Sequence, residues 1–174
     1  MVFFVYSDET ASSNIAGFLK IKLGLHDADG FNGLPHSVKG NMHMVKIQGR
    51  LVDAGFLNGI IEDEVVFLSR HGSSKGIPAF TVHAEGNWSE DVHLGGRPKE
   101  LSVASPIRML QMLCSLNSLN DVGIEVTYEA THHGPFLDRP SLFVELGGSD
   151  GTISSKRHAE LLSEAVAGSL DRRA

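Results

Sequence analysis

Short apolar runs alternate with longer amphipathic stretches along this chain. Val2–Tyr6 is an unbroken apolar run, which is typical of a strand buried on both faces in a sheet covered by helices. Polar residues follow it, and then Ile15, Phe18 and Leu19 fall on one face of a helix that Gly24 is expected to end. The first unit is therefore predicted to be a strand, a polar turn and a helix.

Further apolar or β-branched runs predict more strands. They are Met44–Ile47, Val65–Leu68, Ala79–His83, Ile124–Thr131 and Leu142–Leu146. Residues 25–41 contain Gly, Asp and Pro without any period, and so they predict a long connection without regular structure.

Two further helices are predicted in the second half of the chain. Ser105 followed by Pro106 is a typical helix start, because proline lacks the N–H that would be unsatisfied in the first turn. A second helical pattern spans Ser155–Val166, and Gly168 is expected to end it. Because strands and helices interleave, we predict a single α/β domain over residues 1–174, with a mixed, mostly parallel sheet flanked by helices.

Composition narrows the class of protein. The 174 residues are 41% hydrophobic with a mean hydropathy of -0.03, and no run approaches the ~18 apolar residues of a membrane-spanning helix. A single cysteine, Cys114, and the lack of a signal peptide predict a cytoplasmic protein without internal disulfides. The net charge of -6 argues against non-specific coating of nucleic acid, but it permits a specific RNA held by a local basic patch.

Nine histidines are unusual in a chain of this length, and several follow predicted strands. Ser69-Arg70-His71 ends one strand, and His83 ends the next. Ligands of open α/β sheets lie beyond the carboxyl ends of strands, arginine binds phosphate or carboxylate, and histidine titrates near neutral pH. Taken alone, the first cluster favours an ordinary solvated turn, and a histidine at a strand end more often bonds to a backbone carbonyl than performs chemistry; two such histidines in consecutive strands favour a polar-ligand pocket.

The string of residues 129–135 carries two adjacent histidines. If the predicted strand persists, Glu129 and His133 share one side and His132 takes the other. A carboxylate beside an imidazole can orient it, raise its basicity or share a metal with it. Spacing alone assigns no set of four metal ligands here.

Glu145 ends another predicted strand and precedes Gly147-Gly148-Ser149, a turn suited to an anion or an amine. The glycines are equally compatible with a plain strand-to-helix turn. Together with His71, His83 and the histidines of residues 129–135, Glu145 is expected to lie on one rim of the sheet and to form a polar pocket.

Five short motifs occur in this sequence. They are Ser69-Arg70-His71, residues 78–83 followed by Gly86-Asn87-Trp88, residues 95–98, residues 129–135 and residues 140–145. In this order they resemble the motifs of archaeal and plant-type D-aminoacyl-tRNA deacylases, over nearly the whole chain. The resemblance implies hydrolysis of the ester that joins a D-amino acid to tRNA, and an α/β fold similar to that of phosphorylases and peptidyl-tRNA hydrolases.

The resemblance also implies zinc, which suits a candidate ligand set made mostly of imidazoles. The expected metal ligands are His71, His83, His132 and His133. His132 or His133 is expected to act as general base or to hold a zinc that activates water, with Glu129 orienting it. The expected substrate-binding residues are Ser69, Arg70, Asn87, Gly134 and Glu145, with Arg70 on a phosphate of the terminal adenosine.

Arg70, Lys75, Arg97 and Lys99 flank the predicted pocket loops and are expected to form the basic patch that contacts D-aminoacyl-tRNA. Two other functions stay open: a phosphorylase-like or small-ester hydrolase, and a non-catalytic module that binds tRNA or a nucleotide. The second arises because the family's motifs continue past the helix at 155–166 into a segment that this sequence lacks. We expect a monomer or a weak homodimer.

Overall fold

The computed structural model describes residues 1–72 and 75–171, and a single eight-stranded sheet forms its centre. The strands are β1 (Val2–Tyr6), β2 (His26–Phe31), β3 (Leu34–Lys39), β4 (Met42–Lys46), β5 (Glu64–His71), β6 (Ala79–His83), β7 (Glu125–Tyr128) and β8 (Ser141–Gly147). They lie in the order β2-β3-β4-β1-β5-β8-β6-β7.

Parallel and antiparallel pairings are combined in this sheet. β1 pairs in parallel with β4 and β5, β5 with β8, and β6 with β7. The pairs β2–β3, β3–β4 and β6–β8 are antiparallel. The predicted mixed α/β sheet, with more parallel than antiparallel pairs, is confirmed.

The central strands bury side chains on both faces, because successive residues of a strand point to opposite sides. In β1, Val2 and Phe4 pack into the apolar layer beneath the helices. Phe3 and Val5 pack into a second apolar layer on the other face. The unbroken apolar run of β1 is thus explained by a sheet that is covered on both sides.

In the described part of the chain, four α-helices and one 3-10 helix accompany the sheet. They are α1 (Thr10–Leu23), α2 (Pro106–Leu119), α3 (Asp150–Ile153), α4 (Lys156–Asp171) and the 3-10 helix Leu51–Gly59. α1, α2 and α4 pack together on the first layer, and the 3-10 helix, which the sequence did not predict, covers the second. α1 ends at Gly24 as predicted, with a left-handed φ of 66°. Within the described residues, no helix has the length and apolar character needed to cross a membrane.

The prediction of an irregular connection over residues 25–41 is wrong. β2 and β3 form an antiparallel hairpin joined by Asn32 and Gly33, whose φ angles are 49° and 80°. Asn-Gly is a strong signal for such a two-residue turn. β2 is nevertheless hard to recognise, because it lies at the sheet edge with most side chains exposed and so lacks a buried, apolar face.

Two predicted boundaries are also corrected. α4 continues to Asp171, and Gly168 lies inside it facing α2, where a Cβ atom would lie 3.7 Å from Oγ of Ser115. The strand predicted over Ile124–Thr131 ends at Tyr128, and this early end frees the following residues to leave the sheet.

Candidate functional site

The predicted histidines and Glu145 meet on one face of the sheet rather than along one rim. β5 runs parallel to β8, whereas β6 runs antiparallel to it. The carboxyl ends of β5 and β6 therefore point in opposite directions. Glu145 of β8 is paired with Ser69 on one side and with Thr81 on the other. His71 and His83 each follow these partners by two residues, and the period of two places them on the same face as Glu145.

Residues 129–135 fold back over this face after β7 ends. The N–H of Gly86 donates to the carbonyl oxygen of His133 at 2.7 Å and anchors the turn. The ring centres of His132 and His133 lie 4.2 and 4.9 Å from that of His83. The two neighbouring histidines therefore approach the same partner, which a persistent strand would not allow.

His83, His132 and His133, here called the histidine triad, share one hydrogen-bonding pattern. Each Nδ1 bonds to a backbone carbonyl, which leaves the Nε2 lone pair available to a metal ion or a proton. The acceptors are the carbonyls of Ala84, Ala130 and Gly134, at 3.0, 2.8 and 2.6 Å. Nε2 of the fully buried His83 has no hydrogen-bond partner among the described residues. The ligand atoms of the triad lie within 4.8 Å of one another, close enough to hold a metal ion.

His71 belongs to a second group, here called the carboxylate clamp, with Glu129 and Glu145. Nδ1 of His71 lies 3.3 Å from Oε2 of each carboxylate. Hydrogen bonding to Glu129, and then to Glu145, raises the pKa of His71 to about 10. Its imidazolium form therefore persists at neutral pH, held between two carboxylates.

This geometry corrects two of the expected roles. Glu129 contacts His71, and not His132 or His133, because the chain turns away from the sheet after β7. His71 does not join the histidine triad as a fourth imidazole, because β8 with Glu145 lies between β5 and β6.

Glu145 links the two groups. Its Oε2 lies 3.6 Å from Nε2 of His83 and accepts a hydrogen bond from Oγ1 of Thr81 at 3.5 Å. Burial on its own lowers the pKa of His83, but the Glu145 carboxylate beside it leaves that pKa raised. Burial, reinforced by the charge of His83, lowers the pKa of His133 to about 4. Near neutral pH the site thus combines a neutral His133 with a positively charged His71.

Ser69 and Arg70, two of the expected substrate-binding residues, line a cavity of about 620 Å³ next to the start of α1. Arg50, Asp8 and Leu94 also line it. Arg70 is exposed, and within the described part of the chain its guanidinium forms no ion pair. It is therefore available for an anionic ligand.

Asn87 and Gly134, two of the expected substrate-binding residues, make contacts within the protein. Nδ2 of Asn87 donates to the carbonyl oxygens of Gly95 and Arg97, at 2.9 and 3.2 Å. A Cβ atom on Gly134 would lie 2.1 Å from the backbone nitrogen of Gly96, so only glycine permits this contact. Both residues fix the loop that packs beside the histidine triad.

Two residues of the predicted basic patch are paired with carboxylates. Arg97 pairs with Glu100 at 3.3 Å, and Lys99 pairs with Glu90 at 2.5 Å. The Arg97 guanidinium also lies 4.1 Å above the ring of Phe136. Of the four expected residues, Arg70 keeps the best-placed positive charge for a phosphate.

Sequence reasoning missed Thr81 and Glu85, although both lie at even spacing from His83. Glu85 is fully buried, and its Oε2 accepts a hydrogen bond from Oγ of Ser141 at 3.3 Å. Burial raises the pKa of Glu85 to about 8, so its acid form is favoured at neutral pH. The period of two that continues from β6 through residue 85 was the available signal.

Comparison with known proteins agrees with the motifs. A family model described as D-aminoacyl-tRNA deacylase matches residues 59–174. A D-aminoacyl-tRNA deacylase of Thermococcus onnurineus (strain NA1) is 34% identical over 173 residues, which cover 94% of this chain and 63% of that protein. This chain therefore spans less than two thirds of the length of that relative.

Two solved structures have a fold similar to that of this chain. The crystal structure of a conserved protein of unknown function superposes with a TM-score of 0.90 at 29% identity, over 100% of this chain and 64% of that one. A nucleosidase of Helicobacter pylori that acts on 5′-methylthioadenosine and S-adenosylhomocysteine superposes with a TM-score of 0.57 at 12% identity, over 98% and 99% of the two chains. The second likeness is one of fold alone, and it confirms the expected phosphorylase-like architecture.

Proposed function

The chain belongs to the D-aminoacyl-tRNA deacylase family, and on this premise we propose that it hydrolyses the ester bond of D-aminoacyl-tRNA. Water adds to the ester carbonyl and the bond from that carbon to the ribose oxygen breaks. The products are a D-amino acid carboxylate, a proton and a tRNA with its terminal hydroxyl restored. An aminoacyl ester is already reactive, so the protein's tasks are to position water, accept a proton and stabilise the oxyanion.

The histidine triad is the observation that carries this proposal. Three imidazoles whose Nδ1 atoms are held by backbone carbonyls each bring one ring nitrogen within 4.8 Å of the others. His133 is neutral at pH 7, because burial holds its pKa near 4. A neutral imidazole can accept a proton or bind a metal ion, whereas an imidazolium can do neither.

The triad also fits a zinc ion. Imidazole nitrogens are preferred zinc ligands, and catalytic zinc sites use three protein ligands with a water in the fourth position. The Nδ1 hydrogen bonds orient the rings as second-layer partners do in known zinc sites. The buried Nε2 of His83 makes no hydrogen bond and lies 3.6 Å from Oε2 of Glu145, so it could bind such an ion beside a carboxylate. When bound, zinc supplies a water that loses its proton near neutral pH.

The carboxylate clamp has a different part in this proposal. His71 is protonated at neutral pH, because its pKa is raised to about 10, so it does not serve as general base. Glu145 contacts both His71 and His83, and it thereby fixes the orientation of the deepest ring of the triad. Glu145 is nearly fully buried, so we assign it a positioning role in place of the direct substrate contact expected from the sequence.

The tRNA is assigned to the side of the site where Arg70 is exposed. The cavity lined by Arg70 also contains Ser69 and Leu94, and Leu94 in turn lines the cavity that holds His132 and His133. A phosphate bound by Arg70 would thus lie close to an ester at the triad. A tRNA substrate also agrees with the expected cytoplasmic location.

Single-turnover release of amino acid from D-aminoacyl-tRNA tests the proposal, with the same tRNA carrying the L-amino acid as the comparison. We expect release from the D-ester, and a loss of roughly 10²-fold or more in the variant His132→Ala/His133→Ala. The matched control is His26→Ala, an exposed histidine on edge strand β2, which should leave the rate unchanged.

The parallel assays identify the competing functions. Release of base from a nucleoside in the presence of phosphate would favour a phosphorylase-like enzyme, and turnover of simple esters alone would favour a small-ester hydrolase. Binding of tRNA without turnover at any zinc concentration would contradict the proposed hydrolysis.

A further inference from the structure

Trp88 is a large aromatic residue that the site described above does not use. It is the single tryptophan of the chain, and it is 70% exposed. Tryptophan buries much of its surface in most proteins, so an indole that faces solvent marks a contact surface more often than other exposed residues do.

The indole of Trp88 is held in place rather than loosely attached. Its Nε1–H donates to the carbonyl oxygen of Thr131 at 2.9 Å, immediately before His132 in the chain. The preceding residue, Asn87, is buried, and its N–H donates to the carbonyl oxygen of Glu100 at 3.0 Å. A rigid, exposed ring loses little conformational entropy when a ligand binds to it.

Trp88 also lies beside the histidine triad. It lines a cavity of about 280 Å³ together with Leu94, His132 and His133. One wall of this cavity therefore consists of the two histidines, and another is an aromatic face open to solvent.

We infer that Trp88 is the stacking platform for the terminal nucleobase of the tRNA acceptor strand, an inference that rests on the proposed function. The ester to be hydrolysed is carried by the ribose of the last nucleotide, and the base is attached to the same sugar. A carbonyl placed at His132 and His133 therefore brings that base within one nucleoside of the triad, close to the exposed side chain of Trp88.

Stacking also suits the charge of this protein. Proteins bind unpaired nucleotides by stacking bases on aromatic side chains, largely independently of sequence. The chain carries a net charge of -6, and Arg97 and Lys99 are already paired with carboxylates. An uncharged contact to the base adds affinity that does not depend on these cations.

Tryptophan fluorescence, excited selectively so that the two tyrosines do not contribute, gives a direct test, because all tryptophan emission comes from Trp88. The probes are the trinucleotide CCA and the same trinucleotide lacking its 3′-terminal base. CCA should quench the emission saturably, and the abasic probe should bind roughly 5- to 150-fold more weakly, as expected for one stacked base. Equal binding of the two probes would overturn the inference. Emission that changes with protein concentration and not with CCA would also overturn it, and would assign Trp88 to a contact between two copies.

Variants provide a second, independent readout. Trp88→Ala should raise KM for D-aminoacyl-tRNA roughly 5- to 150-fold with a smaller change in kcat, and Trp88→Phe should restore most of the loss. The matched control is Phe56→Ala, an exposed aromatic on the 3-10 helix, for which KM should not change. An unchanged KM in Trp88→Ala would overturn the inference while leaving the proposed hydrolysis intact. Quenching by CCA without any hydrolysis would do the reverse.

Discussion

Oε2 of Glu145 lies 3.6 Å from Nε2 of His83, and both side chains are almost completely buried in the sheet. Burial on its own would raise the pKa of Glu145, but the hydrogen bond from His71 and the nearby charge of His83 lower it to about 2. The carboxylate is therefore ionised at neutral pH and connects the clamp to the histidine triad. A change of charge at Glu145 should therefore alter the pKa values of histidines in both groups.

The variant Glu145→Gln tests this coupling. Loss of one carboxylate should lower the pKa of His71 from about 10 toward its ordinary value, and should also lower the pKa of His83. We expect a loss of about 3 kcal/mol in the free energy of unfolding, because a buried charge partner is removed. Imidazole titration by NMR and urea denaturation measure the two effects. The exposed Glu125→Gln on β7 is the control, and an unchanged titration of His71 would contradict the coupling.

Metal content distinguishes the histidine triad from the four-histidine set expected from the sequence. Untagged protein should contain about one zinc per chain, because three imidazoles with oriented Nε2 atoms form an open zinc site. His83→Ala should lose the metal, and His71→Ala should retain it. Elemental analysis measures both. Loss of zinc in His71→Ala would restore the four-histidine set, and wild-type protein with less than about a tenth of an equivalent would remove zinc from the proposal.

Arg70 should contribute to tRNA affinity through charge alone. Arg70→Ala should weaken binding of the acceptor strand and make the log–log dependence of affinity on salt shallower by about 0.7, the value for one phosphate contact to a single strand. The control is Arg157→Ala on α4, whose guanidinium is paired with Asp121. Salt titrations of binding give the slopes, and identical slopes for wild type and Arg70→Ala would exclude the phosphate contact.

Local patterns predicted the parts of the fold that depend on nearby residues. β1 and the start of α2 follow from an apolar run and a Ser-Pro pair, and the structure has both where they were expected. The hairpin of β2 and β3 was missed, since an exposed edge strand satisfies its backbone without any apolar period. Gly168 was misread as a helix end because its contact with α2 is distant in sequence.

The residues of the site were easier to predict from the sequence than the contacts between them. His71, His83, His132, His133, Glu129 and Glu145 were all identified from strand ends and motifs, and the structure brings them to one face. Their division into two groups depends on β6 running antiparallel to β8, which is a long-range property of the sheet. Sequence spacing carries no information on that direction, so the contact between Glu129 and His71 could not be predicted from it.

Glu85 predicts a dependence of stability on pH. Burial raises the pKa of Glu85 to about 8 from an ordinary value of 4.5. Between these values the unfolded chain has released a proton that the folded protein keeps. The contribution of Glu85 to the free energy of unfolding is therefore fully present below pH 4.5 and is lost as the pH rises through 8. The slope from this one group is at most about 1.4 kcal/mol per pH unit.

The variant Glu85→Gln isolates that contribution. Its amide oxygen can still accept the hydrogen bond from Oγ of Ser141, but the side chain no longer titrates. The contribution of His71 to protein stability is also lost as the pH rises from 6.5 to about 10. The informative quantity is therefore the difference in free energy of unfolding between variant and wild type. We expect Glu85→Gln to gain on the wild type in free energy of unfolding between pH 5 and pH 8, measured by urea denaturation at each pH. Parallel curves would show that Glu85 is ionised in the folded protein, which would contradict the raised pKa of this buried carboxyl group.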